Sequence, residues 1–403
     1  METVVIVGGG ASGMMAALSA AESGNKRIVL IERQQRLGRK LAATGNGRCN
    51  LTNINASAGN YHGEQEDFAL SVLARFTPED TLRFFRSLGL VTVTEYGGRV
   101  YPLSNSANSV VDVLRYALER AGVELRLGEC VRELRKEKAG YNVLTDKGQL
   151  HADWLIIACG GAAGEKLGGV MDGYELLKPL GHKRTKLYPA LVQLICDSAY
   201  PKALKGVRAD GRVSLFSGET LLAAGEGEIQ FTDNGVSGPA VFDISRVASV
   251  NGPGLELRLD FMRGYEKDKV TALLKERRAF LPGLPAAEIF TGILHNRLGR
   301  MAAKYAALPA TLPLGELDDA AIERASEAVK CFSMKLSGTE GFDSAQVTAG
   351  GIKTGGIDPE SLQSWFMPGL FICGELLDVD ADCGGYNLQW AWASGYVAGR
   401  LGE

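Results

Sequence analysis

Apolar and polar positions along the chain change period several times, and each change marks an element. Val4-Val5-Ile6-Val7 is an unbroken β-branched run, the pattern of a strand buried on both faces. It runs straight into Gly8-Gly9-Gly10-Ala11-Ser12-Gly13. An alanine-rich helical stretch follows from Met14 to Ser23, closed by Gly24, and then a second apolar run, Arg27–Ile31, ends in Glu32. Residues 79–90 and 109–121 carry the spacing of amphipathic helices. "GVELRLGECVREL" and "YNVLTDKGQLHADWLIIACGG" predict strands and a hairpin, the last of them a buried strand ending in Ala158, Cys159, Gly160 and Gly161.

From about Pro189 to Asp260 the pattern shortens to alternating strands with glycine turns, predicting an antiparallel β domain. From about Tyr265 to Lys330 it becomes helical and charge-rich. The end of the chain returns to α/β texture: Leu370–Cys373 as a strand, Gly374-Glu375, an acidic loop, then Gly384-Gly385-Tyr386-Asn387 opening an apolar helix through Gly399. No internal repeat is visible.

The first βαβ unit carries G-x-G-x-x-G at its turn, with Glu32 nineteen residues past Gly13. Gly8 suits a tight turn, Gly10 lets backbone approach a pyrophosphate, and Gly13 lets the helix pack on the strand. The helix N-terminus, with Ser12 in its first turn, offers N–H groups to phosphate. Glu32 suits ribose hydroxyls. The fingerprint alone leaves NAD and FAD open. The following stretch, "RQQRLGRKLAATGNGRCN", favours FAD, because it places Arg33, Arg36, Arg39, Lys40 and Arg48 among glycines where a further strand is usual in NAD enzymes. It predicts an extended crossing over a long cofactor, with cations near phosphate and backbone near a flat ring. Asn46 and Asn50 are candidates for that ring's polar edge, and Cys49 is expected to be packing. Ala158 and Gly160 are expected to close a strand against the dinucleotide. Gly374 and Glu375 end another strand beside it, and the late Gly-Gly turn gives a second helix N-terminus at the ring.

Composition narrows the setting. The chain has 403 residues, 45% hydrophobic and 23% charged, with net charge −3, so no general pull toward nucleic acid or anionic lipid is expected. The start lacks the basic region of a secretory signal, and no window approaches a membrane span. Seven scattered cysteines without C-x-x-C predict free thiols in a reducing cytoplasm and make the Asn50-Leu51-Thr52 sequon incidental. The four histidines are far apart in sequence, so no metal is assigned. Asp378, Asp380 and Asp382 are expected to solvate their loop.

"VVIVGGGASGMMAA", "GRKLAATGNGRCNLTN", "FTDNGVSGPA", "TAGGI" and "GELLDVDADCGGYNLQWAWASG" together resemble the HI0933-like, or BaiN/RdsA, family of bacterial flavoproteins over nearly the whole chain. The resemblance implies a discontinuous Rossmann-like FAD-binding domain, residues 1–188 and 341–403. It also implies an inserted β-rich substrate domain, 189–263, and a small helical domain, 264–340. It implies FAD contacts from Gly8, Gly10, Gly13, Glu32, Arg33, Lys40, Gly47, Arg48, Cys49, Val131, Gly385 and Asn387.

The resemblance further implies reduction of a conjugated C=C, in a steroid-type enone or in uracil of ribosomal RNA. Reduced flavin N5 would deliver hydride to the β-carbon, an acid would protonate the α-carbon, and NADH or NADPH would serve as transient reductant. Cys383 and Tyr386 are the candidate proton donors. Asp233 and Asn234 are candidates for a substrate pocket, although many relatives carry histidine at the position of Asp233. An amine oxidase using O₂, or a non-catalytic FAD-binding protein, are the alternatives. Oligomeric state is left open.

Overall fold

Strand β1, Thr3–Val7, is the centre of a parallel sheet, and its four inner residues are at most 6% exposed. A continuous β-branched run is what a strand covered on both faces requires. The computed structural model describes residues 1–402, and the chain forms two units, Met1–Tyr188 with Gln346–Glu403, and Pro189–Ala345.

In the first unit, helix α1 (Ala11–Ala21) leads to β2 (Arg27–Glu32), parallel to β1 with Val5 opposite Val29. Helix α2 (Ala107–Arg120) precedes β3 (Glu124–Leu127), which extends the sheet beyond β2. Residues Val131–Lys136, Tyr141–Thr145 and Gly148–Ala152 form an antiparallel three-stranded sheet before the chain enters β4 (Trp154–Ile157), parallel to β1 on its other side. Strand β5 (Leu370–Ile372) pairs with β4, and helix α3 (Tyr386–Gly399) follows. The order β5-β4-β1-β2-β3, all parallel, is a doubly wound Rossmann sheet whose ligand crevice lies at the strands' C-terminal ends.

Both ends of the chain meet at α1 and α3. The two helices pack so closely that a Cβ on Gly395 would sit 2.3 Å from the Ser12 carbonyl oxygen, and one on Gly399 would sit 2.5 Å from that of Ala16. The small residues of α1 permit this approach. Trp392 of α3 is fully buried and donates from Nε1 to the Leu51 carbonyl at 2.8 Å. Truncating such a side chain costs about 3–5 kcal/mol.

In the second unit six strands close a barrel in the order 194–197, 235–237, 220–231, 208–217, 256–260 and 332–339. A separate core forms among the helices Lys267–Phe280, Asn296–Tyr305 and Asp319–Lys330. Two features differ from the pattern reading. Residues 239–251, inside the expected β stretch, form a helix with Pro239 at its first position, where a missing N–H is not needed. Residues Phe332–Thr339 are the strand that joins the barrel, with Phe332, Met334 and Leu336 buried at period two. Among the described residues no helix is long and apolar enough to cross a membrane.

Candidate active site

The first turn shows what each glycine does. Gly8 lies at φ +110, and a Cβ there would fall 2.4 Å from the Ala158 carbonyl oxygen; a Cβ on Gly13 would fall 1.8 Å from that of Gly8. Both are needed by the protein's own packing. Gly10 is different. Its φ is −80, and a Cβ on it would meet nothing within 4 Å. The space above Gly10 is therefore open, at the N-terminus of an 11-residue helix with no side-chain cap and no acidic residue in its first turn. Uncapped N–H groups, the positive end of a helix dipole and open space together suit a phosphate.

Glu32, at the end of β2, sits beside this turn. Its Oε2 accepts from the Gly9 N–H at 2.7 Å and its Oε1 from that of Gln34 at 2.7 Å. Each oxygen keeps a lone pair for a hydroxyl. The Glu129 N–H donates to the Glu32 carbonyl at 3.1 Å, which brings the start of the 131–136 strand, and Val131, to the same end of the sheet.

The basic loop after β2 is only partly turned toward the crevice. Arg33 lies 3.3 Å from the Gly168 carbonyl and 3.9 Å from Asp172. Lys40 pairs with Glu375 at 2.7 Å. Arg48 is committed to Glu95 and Asn105 and lies 4.1 Å over the Tyr101 ring, so its charge is already neutralised. Gly45, Asn46, Gly47 and Cys49 all have positive φ, between 56 and 83. A Cβ on Gly47 would meet nothing within 4 Å. Cys49 is fully buried, and burial pushes its thiol up to about 12, which leaves it packing, without redox reactivity. The Asn50 Oδ1, by contrast, is buried with no hydrogen-bond partner among the described residues. An orphaned acceptor next to an open glycine backbone is satisfied by a flat ring with an N–H on its edge.

The late segment closes the crevice from the other side. Gly374 has φ +75, and a Cβ there would lie 2.4 Å from Ser12 Oγ, so the end of β5 touches the first turn. Glu375 joins Lys40 through Oε2 and accepts the Thr348 N–H through Oε1 at 2.8 Å. Gly385, at φ +100, is the uncapped entry to α3, and a Cβ on it would lie 2.8 Å from Asn50 Oδ1. The structure thus brings residues 50 and 385 together. Asn387 is spent internally: its amide bonds to both backbone groups of Ala381 and to the Asp382 carbonyl, fastening the loop to the helix start.

Two of the three aspartates of the acidic loop are withdrawn from solvent, while the Asp382 side chain stays 31% exposed. Asp378 and Asp380 are 3% and 1% exposed, because the loop is stapled to residues 60–64. Asp380–Ala381 pairs with Tyr61–His62, Asp378 Oδ2 accepts the Glu64 N–H at 3.1 Å, and Asp382 meets His62 Nε2 at 2.8 Å and Asn60 at 3.1 Å. Sequence reading missed His62, which lies 320 residues from its partner. It also missed Gln389, fully buried, whose Oε1 accepts from Thr52 and Thr81 and whose amide donates to the Phe76 carbonyl.

Cys383 and Tyr386 flank the Gly-Gly turn and are half-buried; the Tyr386 ring stands edge-on to Tyr61 with centroids 6.4 Å apart. Asp233 and Asn234 belong to the other unit, at an exposed turn between barrel strands. There Asp233 pairs with Lys205 at 2.7 Å, and Asn234 bridges Gln193 and Glu340. No group of His, Cys, Asp and Glu among the described residues is arranged to hold a metal.

A doubly wound sheet, a glycine turn left open to phosphate, an acid at the end of β2 and a second glycine-opened helix define a dinucleotide-binding oxidoreductase fold of the flavin-dependent class. The chain belongs to the HI0933-like family: residues 2–401 match the HI0933-like protein Rossmann domain. It is 41% identical to a 3-dehydro-bile acid delta(4,6)-reductase of Clostridium scindens, over 99% of this chain and 98% of that one. It is 28% identical to a ribosomal RNA dihydrouridine synthase of Escherichia coli, over 98% and 96%. Among solved structures, a 3-ketosteroid delta1-dehydrogenase from Sterolibacterium denitrificans superposes with TM-score 0.52 over 99% of both chains at 13% identity, a likeness of fold alone.

Proposed function

We propose that the protein is an FAD-dependent, NAD(P)H-driven reductase of a C=C bond conjugated to a carbonyl, with a steroid-type enone as substrate. What supports the reading most is end-to-end identity of 41% to a reductase named for that chemistry. The local geometry agrees with it: Gly10 and the α1 N-terminus suit the pyrophosphate, Glu32 the adenosine ribose, and the Val131 backbone the adenine. Asn50 and the α3 N-terminus suit the polar edge of the ring. Bound FAD supplies hydride to the β-carbon of the substrate. The chain's own task is then to hold the enone carbonyl against donors and to deliver a proton to the α-carbon, from the Cys383 thiol or the Tyr386 hydroxyl. Asp233 and Asn234 take part, on this reading, in contacts to the substrate. Uracil in RNA has the same reacting unit, and 28% identity to a ribosomal RNA dihydrouridine synthase keeps it as the second candidate. The net charge of −3 favours the small molecule. The protein works, on this view, in the cytoplasm, where its seven free thiols stay reduced.

The test is an anaerobic two-step experiment. Purified yellow protein is titrated with NADH or NADPH, and the bleached form is then mixed with a 3-oxo-4,6-diene steroid. Expected are bleaching by the nicotinamide and return of colour with loss of the dienone absorbance. Bleaching by an amine with peroxide release would assign an oxidase instead.

A further inference from the structure

The proposed reaction needs a place for the reductant, and the sequence carries one dinucleotide fingerprint only. A second nucleotide-friendly surface is nevertheless built into the first unit. The segment Gly181–Lys186, "GHKRTK", presents Lys183, Arg184 and Lys186 to solvent, and Lys178 stands one turn before it. No carboxylate of the described residues pairs with any of these four cations. Their neighbour Lys353, by contrast, is neutralised by Glu64 at 3.0 Å. In a chain of net charge −3, where about half of the basic residues pair with a carboxylate, four cations without one on a single short segment are an anion-attracting feature.

Two exposed aromatic side chains, Trp365 at 63% and Phe366 at 55% exposure, belong to the segment against the start of this strip, where Phe366 lies 4.0 Å from the position of a Cβ on Gly181. Phe366 is held in place: its ring lies 5.3 Å from that of His182, which is itself 3% exposed and bonded to Ser364 Oγ at 2.9 Å. A fixed, solvent-facing aromatic at one end of a cationic segment is the combination that takes a nucleotide, the base on the ring and the phosphates on the cations.

The strip is also joined, through one intervening segment, to the chain that leads into the candidate ring site. The Lys353 N–H donates to the Lys183 carbonyl and the Thr185 N–H to that of Gly351, both at 2.9 Å. On its other side the same segment bonds to 376–378: Ile352 N–H to the Leu376 carbonyl at 2.8 Å, and Asp378 N–H to the Ile352 carbonyl at 2.9 Å. Three backbone segments lie side by side, so the basic strip is about two strand spacings, roughly 10 Å, from the start of the loop that carries Cys383 and Gly385.

We infer that Lys178, Lys183, Arg184 and Lys186, with Trp365 and Phe366, form the docking surface for the adenosine and phosphate end of the nicotinamide dinucleotide reductant. The inference rests on the NAD(P)H-driven reading above. One short strip with an adjoining aromatic pair fits a single dinucleotide better than an RNA, which would require an extended basic surface.

The test uses the FAD-loaded protein in anaerobic stopped flow with three hydride donors: NADH, NADPH and a phosphate-free N-benzyl dihydronicotinamide. The variants are Lys183→Ala/Arg184→Ala and, separately, Trp365→Ala. Expected is a rise of about tenfold or more in the half-saturating NAD(P)H concentration for the double variant, with the benzyl donor unaffected. An equal loss with the phosphate-free donor, or no change with any donor, would overturn the inference. So would unchanged NAD(P)H reduction together with lost binding of a ribosomal RNA fragment, which would assign the strip to RNA. If no dihydronicotinamide reduces the wild-type flavin, the functional reading itself fails, a result distinct from all of these.

Discussion

Lys40 Nζ lies 2.7 Å from Glu375 Oε2, joining the basic loop after β2 to the end of β5 across 335 residues of sequence. The pair is one of several points where the two halves of the discontinuous first unit meet. Both side chains are partly exposed, so their mutual attraction contributes about 0.5–1 kcal/mol to folding. A ligand lying between first turn and late loop would feel the loss more. Glu375→Gln keeps the Thr348 N–H satisfied but leaves Lys40 without its counter-charge. The expected outcome is a weakened FAD affinity with a nearly unchanged thermal midpoint, read from flavin fluorescence on dilution and from calorimetry.

Gly10 and Gly13 make a matched pair of tests. Ala at Gly10 meets no protein atom within 4 Å and requires no unusual φ, whereas Ala at Gly13 would place Cβ 1.8 Å from the Gly8 carbonyl oxygen. Gly10→Ala is expected to fold as the wild type and to purify colourless. Gly13→Ala is expected to lose about 1–3 kcal/mol or more of stability as well, because the turn or the helix must move. Denaturant midpoints of the two apoproteins, beside their flavin content, separate the effects. A yellow Gly10→Ala protein would remove the phosphate from this turn.

These two glycines also mark what the sequence could and could not say. The βαβ unit was legible because β-branched runs, glycines and Glu32 follow one another within 32 residues, so local chemistry dictates local structure. The late Gly-Gly turn was legible for the same reason. Burial of Asp378 and Asp380 was not, because it depends on residues 60–64, more than 300 positions earlier. Neither was the strand 332–339 as part of the barrel: its alternation is local, but its partners at 194–197 and 256–260 are not. The Arg48–Glu95 pair was not legible either, because its partners stand 47 residues apart.

Gln389 is expected to be the most stability-sensitive polar residue of α3. Two hydroxyls, from Thr52 and Thr81, donate to its Oε1 at 2.6 and 2.8 Å, and its Nε2 donates to the Phe76 carbonyl at 2.9 Å, all inside the core. Gln389→Leu leaves three polar groups buried without partners, at about 1–3 kcal/mol each, less whatever water enters. A loss of roughly 3 kcal/mol or more in urea unfolding is expected, without change in slope. A cost under about 1 kcal/mol would mean that the network is replaceable.

His182 sets an acid limit on stability. Burial lowers its pKa from the ordinary histidine value, so the folded state resists its protonation. The sign follows: the unfolded chain binds the proton first, so stability is full above pH of about 6.5 and falls as pH drops through that value. His182→Gln should flatten the pH dependence of the urea midpoint between neutral and mildly acidic pH. An unchanged slope would place the titrating group elsewhere.

On the proposed reaction Cys383 and Tyr386 are the two candidate proton donors, and their positions allow the two to be separated. Both flank the Gly384-Gly385 turn, whose φ values of +148 and +100 demand glycine, so the turn should persist when either neighbour changes. Cys383→Ala and Tyr386→Phe each remove one acidic proton and little volume. Reduction of the flavin by NAD(P)H involves no proton on the substrate carbon, so neither variant should slow it. Reoxidation by the enone needs that proton, and the variant lacking the true donor should slow this half-reaction by about 10²–10⁴-fold. In the other variant both half-reactions should stay near wild type. Slowing of both half-reactions in one variant would mark a residue that shapes the ring site. Normal reoxidation in both would move the donor to a group outside this turn.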